Sequence, residues 1–283
     1  MVKKVEIDSS CKGVHLLVLA AVHGNETAGT NAIRRFLSEI QEGKYKLLRG
    51  KLTLVPICNE RAFQKGGRQI DENLNRVMKI HDNPQTYEQM LANEIVPLIK
   101  ACDVMLDLHS THCKGDVPFA FCDYPDERNL HLISGLPVDF VLEGWPSIYA
   151  GQNEIQDFST EWAAHQFGHG GTTLECGFHG AKEATDIAYQ AIVNTLIGFE
   201  MIEGKKAEIR AKEHILMDSF VIKEQEGMLL KDYKHLDKVQ KGEAVARYDD
   251  GKMLYAPRDG YILLPNHSAE IGAEWYYFGQ SKL

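Results

Sequence analysis

Apolar positions in the first two-thirds of the chain alternate between short continuous runs and helical spacing. Val14 to Val22 is a continuous run rich in β-branched residues and predicts a buried strand. From Thr27 to Ile40 the period changes, with Ile33, Phe36, Leu37 and Ile40 on one helical face. Leu52 to Ile57 and Val104 to Leu108 predict two more strands, and Thr172 to Glu175 a short one. Thr86, after Asn83-Pro84, is placed to cap a helix whose apolar face carries Met90, Leu91, Ile95, Leu98 and Ile99. Pro97 is expected to kink or shorten that helix, because proline removes a backbone donor and crowds the preceding turn. After Gly180, the residues Ala184, Ile187, Ala188, Ala191, Ile192, Thr195 and Phe199 form a clear amphipathic pattern. Strands alternating with helices predict an α/β sheet.

From Gly204 to Lys212 the chain turns polar and charged, and a boundary is expected there. Beyond it, short strand-like runs are separated by Gly227, Lys241-Gly242, Asp249-Asp250-Gly251 and Asp259-Gly260. Asp-Gly between apolar runs signals hairpins. The expectation is a catalytic α/β domain over residues 1–205 and a small all-β module, barrel- or sandwich-like, over 206–283. No internal repeat or low-complexity tract interrupts either part.

The 283 residues are 44% hydrophobic with a formal charge of −9. No Lys/Arg cluster exists to neutralise phosphates, which argues against nucleic acid as a partner. No apolar run approaches the roughly 18 to 20 residues that cross a bilayer, so no membrane partner is expected. Lys3 and Lys4 ahead of the first apolar run faintly mimic a signal peptide, but cleavage there would destroy the motif at its end, and that reading is rejected. Six cysteines (Cys11, Cys58, Cys102, Cys113, Cys122 and Cys176) lack Cys-x-x-Cys spacing, which points to free thiols and a cytoplasmic setting. Homo-oligomerisation is left open.

His23-Gly24-Asn25-Glu26 follows the first strand and precedes the first helix. At such a strand-to-helix turn an imidazole and a carboxylate three residues apart can face one point above the sheet edge, where open α/β sheets place their sites. Two such ligands suit Zn²⁺, and a catalytic zinc wants a third protein ligand with one position left open. Asp107-Leu108-His109 offers that ligand. Asp107 shares a strand face with His109 and is placed to orient it. Glu175 ends an otherwise apolar strand, where an acid is costly unless functional or paired. Cys176 points to the opposite face and is read as core.

Four segments stand in order: His23-Gly24-Asn25-Glu26, then Asn59-Glu60-Arg61 through Arg68 to Asn73-Leu74-Asn75-Arg76, then Asp107-Leu108-His109-Ser110-Thr111, and Thr173-Leu174-Glu175-Cys176-Gly177. Together they resemble the zinc carboxypeptidase superfamily, and more closely its succinylglutamate desuccinylase/aspartoacylase branch, over roughly residues 14 to 200. The resemblance implies a three-layer α/β/α domain with a mixed sheet, and one Zn²⁺ per chain on His23, Glu26 and His109. It implies hydrolysis of the amide bond of a small N-acyl amino acid by a metal-activated water, with Glu175 as general base. Arg68 matches the residue that stabilises the oxyanion, and Asn75 and Arg76 match the pair that grips the substrate's α-carboxylate. Family members commonly carry Asp where this chain has Asn73, which alters the support of the neighbouring arginines.

Between Asn129 and Ala181 the sequence contains no Lys or Arg, whereas relatives removing an acidic acyl group use an arginine in that region. A neutral acyl group such as acetyl is therefore expected over succinyl or aspartyl. Tyr149 lies in the region that would contact substrate, and His165 and His169 offer charge only when protonated. Asp139, Glu143, Glu154, Asp157 and Glu161 hint at an amine-bearing substrate. The β tail is expected to narrow access, with Asn266 or His267 facing substrate, favouring small molecules over polypeptides. The alternatives are a metallocarboxypeptidase acting on short or cell-wall peptides, or a desuccinylase/aspartoacylase with an acidic acyl group.

Overall fold

A computed structural model describes residues 2–149, 158–208 and 212–282. The chain opens with strands β1 (Val5–Asp8) and β2 (His15–Ala20), helix α1 (Ala28–Gln41), strand β3 (Lys51–Val55) and the short helix α2 (Glu60–Lys65). Helix α3 (Tyr87–Ala101) leads into β4 (Val104–Thr111), β5 (Phe119–Phe121), α4 (Glu127–Gly135) and β6 (Phe140–Glu143). Helices α5 (Trp145–Tyr149) and α6 (Thr160–Gln166), strand β7 (Gly170–Phe178) and helix α7 (Lys182–Gly198) complete this part. Strands alone follow: β8 (Glu213–Ile222), β9 (Gly227–Leu229), β10 (Asp237–Val239), β11 (Ala244–Tyr248), β12 (Met253–Tyr255), β13 (Gly260–Leu263) and β14 (Glu274–Ser281).

One mixed sheet runs β1-β3-β2-β4-β7-β5-β6-β8-β14-β13-β10, beside a three-stranded sheet β12-β11-β9. β3, β2, β4 and β7 are parallel neighbours, and β5 meets β7 antiparallel. β6 then runs parallel to both β5 and β8, so the large sheet continues without a break into the antiparallel strands near the C-terminus. The fold is the expected α/β architecture with a mixed sheet and a later antiparallel β region.

Side chains alternate across β2 because strands have a period of two. Leu16 and Val18 enter a core with Ile33, Phe36, Leu174 and Ile192, while Leu17 and Leu19 enter another with Leu91, Ile95, Ile99 and Ala163. Helices therefore cover both faces, which is why these strands read as continuous apolar runs.

Three local expectations need correction. Helix α3 is not shortened by Pro97, which lies inside it, but continues to Ala101. Pro97 is exposed, so the crowded turn faces solvent while Ile95, Val96 and Ile99 anchor the other side. Met90 is exposed rather than on the buried face, which instead carries Leu91, Ala92 and the acid Glu88. Asp259-Gly260 does not close a hairpin, since β12 and β13 lie in different sheets, and the Asp259 carboxylate accepts the Lys241 amide. Asp249-Asp250-Gly251 does join paired strands, β11 and β12, with Gly251 in the left-handed region at φ +90°.

His235 links the C-terminal strands to β5. It is buried against the Phe119 ring at 4.1 Å between centroids, and its Nδ1 accepts the Leu264 amide at 3.0 Å. Burial pushes this imidazole down to about 3. An unfolded chain takes up the proton from pH 6.5 downward, whereas the folded one resists until about 3, so stability must fall as pH drops through that window. The expected slope from this group is about 1.4 kcal/mol per pH unit. Chemical denaturation of His235→Asn between pH 6 and 4 should show a shallower pH slope than the natural chain; equal slopes would refute the assignment.

Candidate metal centre and cavity

The parallel strands β2, β4 and β7 end at one edge, and the site lies above it. His23 follows β2, His109 lies near the end of β4, and Glu175 lies on β7 in direct register with His109. The turn that carries His23 and Glu26 is pressed onto α2. A Cβ on Gly24 would meet the Ala62 carbonyl carbon and the Phe63 nitrogen at 2.2 Å, so only glycine fits there. The Gly24 amide donates to the Arg68 carbonyl at 3.0 Å, tying the turn to the next motif.

One nitrogen from each of His23 and His109 and one oxygen from Glu26 lie within 4.8 Å of one another, and all three residues are buried. His23 Nδ1 is 2.8 Å from Glu26 Oε1, and its Nε2 faces Asn73 Oδ1 at 2.9 Å. His109 Nε2 pairs with Asp107 Oδ2 at 2.9 Å, and Thr160 donates its hydroxyl to the same Asp107 oxygen at 2.6 Å. Each imidazole thus gives Nε2 to a fixed acceptor and turns Nδ1 toward the centre. The neutral Asn73 amide supports one ring, a carboxylate the other. His109 Nδ1 lies 3.0 Å from Glu26 Oε2 but is out of line for a hydrogen bond and has no such partner.

The charges are tightly coupled. Burial pushes His23 down to about 4. For Glu26, burial pushes upward, but His23 and His109 more than offset it and hold the carboxyl well below the usual range. Burial would lower His109, yet Asp107 and Glu26 hold it well above an ordinary histidine. Glu175 goes the other way: burial, then the nearby Glu26 carboxylate, push it up to about 8. Its Oε2 is buried with no hydrogen-bond partner. Cys176, next along the strand, is packed in the core on the opposite face.

A cavity of about 1070 Å³ opens over these groups. Arg68 and Arg76 both line it. Arg68 donates to Glu26 Oε1 at 3.0 Å and remains half-exposed. Arg76 donates to the Asn75 carbonyl at 2.7 Å and holds its guanidinium 5.0 Å from the centre of the Trp145 ring. Asn75 Oδ1 accepts the Thr160 amide, so this side chain is anchored on α6.

Tyr149 and His267 are not on the cavity wall. α5 directs Tyr149 into the core beside Ile215 and Met217, and its hydroxyl meets that of Tyr277, which does line the cavity. His267 Nε2 is bound to the Tyr233 carbonyl at 2.9 Å, whereas its neighbour Asn266 reaches the wall. His165 stacks on Tyr124 and His169 binds the Lys100 carbonyl. Of the acids read as a lining, Glu161 is on the wall, while Glu143 pairs with His214 and Lys282 and Asp139 is exposed elsewhere. Glu154 and Asp157 lie outside the described residues. Wall residues with no signal in the sequence include Trp145, Asp123, Glu274 and Tyr277. His112 and His179 also line it, each within four residues of a recognised motif residue, and proximity to those motifs was the available clue.

Residues 12–196 match the family model of the succinylglutamate desuccinylase/aspartoacylase catalytic domain. The chain belongs to that family. It is 30% identical over 106 residues to a protein of Nostoc sp. named probable aspartoacylase, covering 33% of this chain and 34% of that one. It is 34% identical over 84 residues to a succinylglutamate desuccinylase of Pseudomonas putida, covering 29% and 24%. These matches span about a third or less of the relatives' length. Among solved structures, a succinylglutamate desuccinylase/aspartoacylase from Rhodobacter sphaeroides superposes with a TM-score of 0.81 at 17% identity, covering 100% of this chain and 89% of that one. A product-bound ectoine utilization protein from Ruegeria pomeroyi gives 0.77 at 21% identity, with 98% and 88% covered. At these identities the likeness concerns the fold. Among the described residues, no helix is long and apolar enough to cross a membrane.

Proposed function

We propose that this family member is a zinc-dependent amidohydrolase that cleaves small N-acyl amino acids, with a neutral acyl group such as acetyl favoured, in a cytoplasmic setting. The convergence of His23, Glu26, His109 and an unpartnered Glu175 on one cavity carries the proposal. The donors suit a divalent cation: two imidazoles with Nδ1 turned inward, a carboxylate between them, and a His109 Nδ1 lacking any hydrogen bond. One Zn²⁺ per chain on His23, Glu26 and His109 would supply Lewis acidity, polarising the amide carbonyl and making water acidic near neutrality. Glu175 is the group placed to accept the proton of the attacking water and return it to the departing amine. Arg68 presents a fixed positive donor for the developing oxyanion. Arg76, steadied over Trp145, and Asn75 offer a fork and an amide to the α-carboxylate. In this scheme Tyr149 acts by holding Tyr277.

The acyl preference follows from what remains. Among the described residues the lysines and arginines of the wall are Arg68, Arg76 and Lys79. The first two have roles already, and the Lys79 ammonium lies 3.9 Å from the Phe158 ring centre. Among the described residues, no lysine or arginine of the wall beyond these three is available to a second carboxylate, which supports a neutral acyl group.

The test is amine release by zinc-loaded protein from N-acetyl, N-formyl and N-succinyl amino acids and from dipeptides, with neutral, acidic and amine-bearing side chains. Release from an N-acetyl amino acid with dipeptides untouched is expected. Preference for succinyl compounds would overturn the acyl assignment, and release from dipeptides alone would overturn the deacylase reading.

A further inference from the structure

Glu88, in the first turn of α3, is a carboxylate with no exposed surface. A buried acid needs its lone pairs satisfied, and here four donors do so. Its Oε1 accepts the Asn59 side-chain amide at 3.0 Å and the Ile70 backbone amide at 2.8 Å. Its Oε2 accepts the backbone amides of Asp71 at 3.1 Å and Glu72 at 3.3 Å. The loop returns the contact: Asp71 accepts the Tyr87 amide at 2.8 Å, and Glu72 accepts the Thr86 hydroxyl at 2.5 Å and the Gln89 side chain at 2.8 Å.

This arrangement is not needed to start the helix. Thr86 already caps α3, its hydroxyl accepting the Gln89 amide. An apolar side chain there would strand the Asn59, Ile70, Asp71 and Glu72 donors, so what the carboxylate supplies is its hold on those groups. Every donor to Glu88 belongs either to the 70–72 segment or to Asn59. That segment lies between Arg68 and the Asn73-Leu74-Asn75-Arg76 run. Asn59 uses its own oxygen to cap α2 at the Ala62 amide, 3.2 Å away, and α2 is the surface against which Gly24 is pressed.

We propose that Glu88 is a positioning residue: it fixes the 70–72 segment that leads into Asn75 and Arg76, whereas Arg68 and the His23–Glu26 turn are held to each other by the Gly24 amide and by Glu26. It touches no substrate, since it lies outside the cavity wall. Its expected effect is on the grip of the α-carboxylate rather than on the chemical step. This inference rests on the hydrolase reading for its kinetic part and on the geometry alone for its structural part.

The experiment compares Glu88→Gln with the natural protein by steady-state kinetics on an N-acetyl amino acid and by peptide-resolved hydrogen exchange. Gln keeps one acceptor but turns an amide NH₂ toward backbone donors. KM is expected to rise on the order of tenfold, the effect of losing charge-assisted hydrogen bonds, with kcat lowered roughly threefold or less. Exchange should quicken in peptides spanning 68–76 and stay unchanged in β4 and β7. Glu88→Asp keeps the charge and should recover part of the KM; it also carries the same two readouts if Glu88→Gln does not fold. A folded variant with natural KM and natural exchange at 68–76 overturns the proposal. So does a fall in kcat at constant KM, or faster exchange spread evenly over the chain. Absence of turnover in the natural protein counts against the hydrolase reading alone, and the exchange result then decides for Glu88.

Discussion

Replacing Glu175 by Gln is expected to lower kcat on an N-acetyl amino acid by about 10²–10⁴-fold, the range typical of a lost general base. KM should stay within roughly threefold, because the groups proposed to grip the substrate, Arg76 and Asn75, are untouched. The fold should not suffer. Glu175 Oε2 has no hydrogen-bond partner, so its replacement strands no donor, and burial already pushes this acid up to about 8. A neutral amide of the same shape replaces an acid whose ionised form burial disfavours, so the variant should melt at or above the natural temperature. The checks are steady-state kinetics beside metal content and a melting curve. A variant that keeps its metal and its full kcat would remove Glu175 from the mechanism.

Removing the metal is expected to be the other large effect. The Glu26, Asp107 and Glu175 carboxyl groups stand close together beside two buried imidazoles: burial holds His23 down to about 4, whereas Asp107 and Glu26 hold His109 up. A tightly bound ion stabilises the folded state by about 4 kcal/mol when present at a thousand times its dissociation constant. For a chain of this size that corresponds to a melting shift of roughly 10 °C. Chelation should therefore abolish turnover and lower the melting temperature, with both restored by one equivalent of Zn²⁺. His109→Ala should bind no stoichiometric zinc and show no shift on zinc addition. Unchanged melting behaviour under chelation, with activity retained, would exclude these three residues as a metal site.

The parts that could be read from sequence are those where unusual residues interrupt a regular pattern. His23-Gly24-Asn25-Glu26, Asp107-Leu108-His109 and Glu175 stand at the ends of apolar runs, and strand ends at one sheet edge are brought together by parallel pairing itself. What stayed hidden depended on pairing between distant segments. β5 and β6 span three and four residues, too short for a periodic signal, yet they turn the sheet toward β8. That turn places Trp145, Glu274 and Tyr277 on the cavity wall. Tyr149 was legible as an aromatic near the site, but which way a five-residue helix points is decided by its packing partners. Glu88 lies in a helix whose apolar stripe includes Leu91, Ile95 and Ile99, and helical spacing cannot reveal that a buried face includes an acid held by backbone donors.

The cavity wall is assembled from two stretches with different duties. The groups proposed to react come from residues 23 to 175, and Leu264, Pro265, Asn266, Glu274 and Tyr277 also line the wall. Because the second stretch joins the first through strand pairing of β6 with β8, and none of its side chains belongs to the donor set, its loops are free to vary in length and composition. On the proposed chemistry, changes confined to these loops alter which substrates fit while leaving the donors His23, Glu26 and His109 in place.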